Sequence, residues 1–136
     1  MTYRDHLLTC PRCGATLGRE TRQEVWSCPA CRGVAVETGE LIRLLLRYAP
    51  ELLPDGGARG LVIVPRTATT PLLRCAACTR AMERVVLHGV ALERCVHDDL
   101  LWFEANDLED VIGAAIADVE ARKGWGQRLR DLLFAN

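Results

Sequence analysis

The chain has 136 residues, 49% of them hydrophobic but only 5% aromatic, and a net charge of −1. That length suits one ordinary domain or two very small ones, and the balanced charge is unlike that of a generic nucleic-acid binder, which is clearly basic. No apolar run approaches the roughly 18–20 residues that span a bilayer, and "MTYRDHLLTCPRC" has neither the apolar core nor the cleavage site of a secretory signal, so a cytoplasmic protein is expected.

The first pattern along the chain is Cys10-x2-Cys13-x14-Cys28-x2-Cys31. Clustered cysteines without a secretion signal point to metal rather than to disulfides. Two residues between paired cysteines allow a tight turn that aims both sulfurs at one ion. Pro11 and Pro29 favour such turns, and Gly14 and Gly33 supply the freedom to leave them. The intervening residues fit a β-hairpin, with "EVWS" as the returning strand. Four thiolates close a tetrahedral zinc site, which is then structural rather than catalytic. Four cysteines suit iron as well. A thioredoxin-like redox pair needs a βαβ context, and the flanking pattern offers none.

A helix is predicted over 39–53, with Leu41, Leu44, Leu45 and Tyr48 on one apolar face widened by Ile42 and Leu46; Pro50 and "PDGG" end it. A short buried-type strand, "RGLVIVPR", follows at 59–66. The second cysteine set is Cys75-x2-Cys78-x16-Cys95, again enclosing a hairpin and followed by the apolar stretch "LWF". A second helix is predicted over 106–123. Asn106 is its N-cap, with Glu109 three residues on, and Leu108, Ile112, Ala115, Ile116 and Val119 form its buried stripe. "GWG" then breaks the chain, and a last amphipathic helix carries Leu129, Leu132, Leu133 and Phe134. This helix either packs on the ribbons or docks a partner.

The two cysteine sets belong to one repeated unit. With Cys28 placed on Cys95, Glu37 falls on Glu104, Gly39 on Asn106, Glu40 on Asp107 and Leu41 on Leu108. Cys10 and Cys13 then correspond to Cys75 and Cys78, and Leu17 to Met82. Each unit reads as knuckle, hairpin, knuckle, short strand and helix, an internal duplication. Each is too small to fold on an apolar core alone. Zinc binding worth about 10–16 kcal/mol in finger peptides would become folding energy here.

The stretch "CPRCG…CPACRGVAVETGELIRLL" resembles the transcription-factor-IIB-type zinc-ribbon family of bacteria. The first copy carries that family's second-knuckle motif at Cys28, Pro29, Cys31, Gly33, Gly39, Glu40 and Leu41. It departs at Ala35, where the family has Trp, and at Glu37, where it has Asp. The second copy keeps Trp102 and Phe103. The resemblance implies fold and metal, not an activity.

The second set shows only three cysteines. Strict register puts Asp98 opposite Cys31, and His97 stands one position earlier. Thiolate and imidazole dominate structural zinc sites, and relatives of the second copy often carry His in this knuckle, so His97 is the expected fourth ligand. Asp98 is the alternative; His6 and His88 are more remote ones.

The expected fold is small α+β. It has two zinc ribbons, each a hairpin plus a short strand followed by a helix, and a short C-terminal helix. The segments are 1–53, a linker at 54–72, 73–123, and 124–136. The expected metal ligands are Cys10, Cys13, Cys28 and Cys31, then Cys75, Cys78, Cys95 and His97, for two zinc ions per chain. The expected function is a non-catalytic zinc-binding adaptor that meets a protein partner, or a second copy, through the apolar C-terminal helix. Nucleic acid is the other partner class, through Arg12, Arg19, Arg22, Arg32 and Arg43. No nucleophile–base set or phosphate loop argues for an enzyme, and no membrane contact is expected.

Overall fold

The computed structural model describes residues 7–20, 23–51, 62–63 and 73–134. Its elements in chain order are β1 (Gly18–Arg19), β2 (Val25–Ser27), β3 (Val34–Glu37), α1 (Thr38–Tyr48), β4 (Val62–Ile63), β5 (Glu83–Leu87), β6 (Val90–Cys95), β7 (Leu100–Phe103) and α2 (Asp107–Phe134). The strands form one antiparallel sheet in the order β1-β2-β3-β7-β6-β5-β4. Most of the 54–72 linker lies outside the described residues; within it, β4 pairs with β5 through Val62↔Val86 and Ile63↔Val85.

Period-2 alternation along the strands separates two layers of core. On one face Val25, Val36, Val85, Leu87, Leu92, Leu101 and Phe103 pack against the helices, meeting Leu41 and Leu45 of α1, its C-cap Ala49, and Val111, Ala115 and Val119 of α2. On the other face Trp26, Ala35, Leu100 and Trp102 pack with Leu8, Leu17, Leu73, Met82 and the buried cysteines. The central strands β3 and β7 are covered on both sides. That is why their sequences, "VAV" and "LLWF", read as unbroken apolar runs.

The same local structure appears twice. The register Gly18↔Ser27 and Arg19↔Trp26 has its counterpart in Glu83↔Arg94 and Arg84↔Glu93. The bridge Thr9↔Thr16 is matched by Arg74↔Ala81. The Leu17 amide donates to the Leu8 carbonyl at 2.8 Å, as Met82 does to Leu73 at 2.9 Å. Positive φ recurs as well, at Gly14 (74°) and Thr79 (63°), and at Arg32 (64°) and Asp99 (55°).

The two halves join between β3 and β7, in the register Val34↔Phe103, Ala35↔Trp102, Val36↔Leu101. Under the repeat correspondence the pair Val34–Phe103 maps onto Leu101–Val36, so the seam is isologous about an approximate twofold axis through Ala35 and Trp102. This explains the Ala at 35. Two tryptophans on that axis would compete for one space, and Trp102 fills it alone. Its ring lies against Gly33, where an added Cβ would stand 2.2 Å from Trp102 Cζ2.

The helices depart from expectation in three ways. First, α1 begins at Thr38 rather than at residue 39 and is capped by Glu37, whose carboxylate accepts from the amides of Gly39 (2.9 Å) and Glu40 (3.2 Å). Second, Tyr48 at the end of α1 is 55% exposed, so the apolar face consists of Leu41, Leu45 and Ala49. Residues 52–53 lie outside the described residues. Third, the chain does not break at "GWG". α2 is one helix of 28 residues, ~42 Å long at 1.5 Å per residue. Glycine in a helix costs about 1 kcal/mol but keeps its N–H, so without proline it does not end the ladder. Side-chain pairs support the far end, with Gln127 Nε2 donating to Asp131 Oδ1 (2.9 Å) and Arg130 Nη2 to Gln127 Oε1 (3.0 Å). The buried stripe, which includes Val111 and leaves Ile116 at its rim, ends at Val119. Beyond it Leu132, Leu133 and Phe134 are exposed. Among the described residues no helix is long and apolar enough to cross a membrane.

Candidate metal centres

Both cysteine sets gather on the sheet face opposite the helices. In the first, Cys10 and Cys13 flank a turn at 11–13, and Cys28 and Cys31 flank one at 29–31 that leaves β2. The sulfurs of Cys10 and Cys13, Cys10 and Cys31, and Cys13 and Cys28 each lie 3.6 Å apart. Four sulfurs held tetrahedrally at 2.3 Å from one zinc ion stand roughly 3.8 Å from each other, so the cluster has the size of a zinc site. Backbone amides point at the first sulfur of each pair. Arg12 and Cys13 both donate to Cys10 Sγ at 3.3 Å, and Cys31 donates to Cys28 Sγ at 3.5 Å.

The protonation of the thiols fits a cation-binding role. The Cys31 amide leads in pulling the Cys28 thiol down to about 6. The neighbouring sulfurs of Cys31 and Cys10 push Cys13 up to about 12, and burial raises Cys10. The Cys28 thiolate therefore forms readily, and a bound divalent cation favours ionisation of the thiols that burial and neighbouring sulfurs hold protonated. The seven cysteines are free thiols.

The second set brings together Cys75, Cys78, Cys95 and Asp98. Cys78 and Cys95 sulfurs are 3.6 Å apart. Asp98 Oδ2 lies 3.4 Å from Cys75 Sγ and 3.8 Å from Cys95 Sγ. A tetrahedral ion with Zn–S of 2.3 Å and Zn–O near 2.1 Å separates sulfur and oxygen by about 3.6 Å, so this donor set also fits. Burial is the chief cause raising the thiols of Cys75 and Cys78. Each cluster can hold a zinc ion.

The structure does not bring His97 to the sulfurs. Its side chain is 55% exposed, and its Nε2 stands 4.0 Å from Asp98 Oδ1, outside the cluster. The backbone gives the reason. The Asp98 amide donates to Cys95 Sγ at 3.4 Å as the Cys31 amide does to Cys28, and Asp99 takes positive φ as Arg32 does. The turn is therefore the same turn, and it presents its third residue after the cysteine, Asp98, while His97 occupies the exposed tip where the first copy has Ala30. A one-residue slip would have broken this amide–sulfur bond. His88 is elsewhere, in the β5–β6 turn beside Asp118 of α2 at 3.1 Å; His6 lies outside the described residues.

Asp99 emerges as a structural anchor. Its carboxylate accepts from Arg94 Nη2 (3.0 Å) and Thr38 Oγ1 (2.9 Å), and its carbonyl accepts the Thr38 amide (3.1 Å). The second metal turn is thus tied to the start of α1. The two knuckles also touch, through a hydrogen bond from the Thr9 amide to the Ala76 carbonyl (3.1 Å). Among the arginines of the first ribbon, Arg12 pairs with Glu104 (2.7 Å), Arg19 with Glu24 (2.7 Å), and Arg43 with Glu40 (2.6 Å). Arg22 lies outside the described residues.

Residues 9–47 match the family model of a transcription factor zinc-finger, the transcription-factor-IIB type of zinc ribbon. The chain therefore contains one such ribbon, and the second cluster lies outside the matched stretch. No curated protein and no solved structure matches the chain.

Proposed function

We propose that the chain is a non-catalytic zinc-binding protein in which two ribbons, arisen by internal duplication and each closed on one zinc ion, form a rigid platform for a protein partner. Cys10, Cys13, Cys28 and Cys31 hold the first ion; Cys75, Cys78, Cys95 and Asp98 hold the second, Asp98 replacing His97 as its fourth ligand. Thiol clusters of this kind keep zinc in a reducing compartment such as the cytoplasm.

The observation that carries the partner reading is the free end of α2. It runs past the body after Val119 and exposes Leu132 at 79%, Leu133 at 65% and Phe134 at 76%. An unpaired apolar helix end of this kind marks an interaction surface, and a second copy or another protein helix is a suitable cover. Sedimentation of the zinc-loaded chain is expected to show self-association that Leu132→Glu abolishes. A monomer at all concentrations that captures no protein through this end would overturn the reading.

A second reading, nucleic-acid binding, draws on the name of the family matched at 9–47. The arginines that would carry it are largely engaged by acids of the same surface, Arg12 by Glu104, Arg19 by Glu24 and Arg43 by Glu40. This lowers the charge available for phosphate contacts. A salt-dependent shift of DNA or RNA, lost on reversing the charges of Arg19 and Arg22, would favour it.

A further inference from the structure

The two clusters share a turn geometry but not a donor set, and the strands that carry them differ in length. In the first ribbon the hairpin β1–β2 has two pairs, Gly18↔Ser27 and Arg19↔Trp26. In the second, β5–β6 has five, from Glu83↔Arg94 to Leu87↔Val90. The second hairpin also contributes Val85, Leu87 and Leu92 to the core under the helices, whereas the first contributes Val25. The first ribbon therefore leans more on its metal for shape, and the second has the longer ladder and its hairpin the larger share of the common core. A metal-free second turn is further held by Asp99 through Arg94 and Thr38.

The donor sets point the same way. Zinc is borderline-soft, and thiolates hold it better than a carboxylate does. In the second cluster one of the four positions is Asp98 Oδ2, on an aspartate whose side chain is 13% exposed and whose neighbour His97 is open to solvent. The carboxylate is the weakest of the four donors and the first that an incoming chelating group displaces. The first cluster has thiolates at all four positions, one of them the exposed Cys13.

We propose that the second cluster is an exchangeable zinc site: its ion leaves and returns while the first ion stays, so that the folded chain exists in a one-zinc and a two-zinc state. This rests on the reading that each cluster holds one ion. Departure begins at the Asp98 oxygen, the ion passes to a competing thiol- or nitrogen-bearing acceptor, and the thiolates of Cys75, Cys78 and Cys95 take up protons from water as it goes.

The test uses the full chain loaded with zinc, its content measured by elemental analysis, and an excess of a chromogenic chelator. Release is expected in two phases of one zinc each, at least about tenfold apart in rate, with far-UV circular dichroism unchanged after the first phase. Asp98→Cys, and independently Asp98→His, should slow the fast phase towards the slow one. A two-zinc chain that releases both ions in one phase, or a fast phase that neither substitution slows, would overturn the proposal alone. A chain that holds a single zinc before chelator is added would overturn the two-site reading, and the proposal with it.

Discussion

At the residue scale, the neighbours His97 and Asp98 show how a backbone turn outranks ligand chemistry. Imidazole is the better zinc ligand in structural sites, but the turn after Cys95 aims position 98 at the sulfurs and position 97 at solvent. Reaching in with His97 would require giving up the Asp98 amide bond to Cys95 Sγ. The expected outcome is that His97→Ala keeps two zinc ions per chain by elemental analysis, whereas Asp98→Ala falls towards one. Loss of zinc from the His97 variant with retention in the Asp98 variant would reverse the assignment. Glu37 and Glu104, which stand at corresponding positions of the two units, differ in role: Glu37 caps α1, and Glu104 pairs with Arg12 across the seam.

At the element scale, α2 has two parts. The first, to Val119, packs on α1 and the sheet; the second carries its apolar residues into solvent. Gly124 and Gly126 lie in the second part. A Cβ at either would meet nothing nearer than the tips of Arg128 (4.0 Å) and Arg130 (3.9 Å). Gly124→Ala and Gly126→Ala should therefore each stabilise the helix by about 0.5–1 kcal/mol, the cost that glycine imposes there. Hydrogen exchange of the amides over 120–134 would show this as slower exchange. Faster exchange in either variant would mean that the glycines serve a bend rather than a continuous helix. α1 differs because a carboxylate cap and burial of Leu41 and Leu45 hold it at both ends.

At the scale of the whole molecule, the seam between β3 and β7 turns two small units into one body. Neither unit has a core of its own on the helix-covered face: Val36, Leu101 and Phe103 from the two central strands share it with both helices. The other face carries a row that crosses the sheet from Arg19 through Trp26, Ala35, Trp102 and Glu93 to Arg84. Gly33→Ala tests this joint directly. The new Cβ would lie 2.2 Å from the buried Trp102 ring, a contact that overpacking data value at about 3 kcal/mol. Denaturant unfolding should shift to a lower midpoint as a single transition, because both halves depend on the seam. Gly18→Ala, with nothing within 4 Å of its Cβ, should stay within about 0.5 kcal/mol of the parent. Two separate transitions in the Gly33 variant would show that the halves fold independently.

What could be read from the sequence was what is local. Spacings within the knuckles, the hairpin strands, the correspondence of the two units and the positions that alternate or repeat every third and fourth residue are properties of short stretches, and backbone geometry acts on them directly. The first cysteine set and the three thiols of the second were legible for that reason. The fourth donor, the pairing of β3 with β7, the need for Gly33 beneath Trp102 and the unbroken course of α2 were not. Each depends on groups brought together from distant parts of the chain, or on a small difference between competing local preferences. Tertiary packing settles such differences because it buries one arrangement and leaves its rival exposed. At the second cluster that choice left His97 in water and set an aspartate among three thiols.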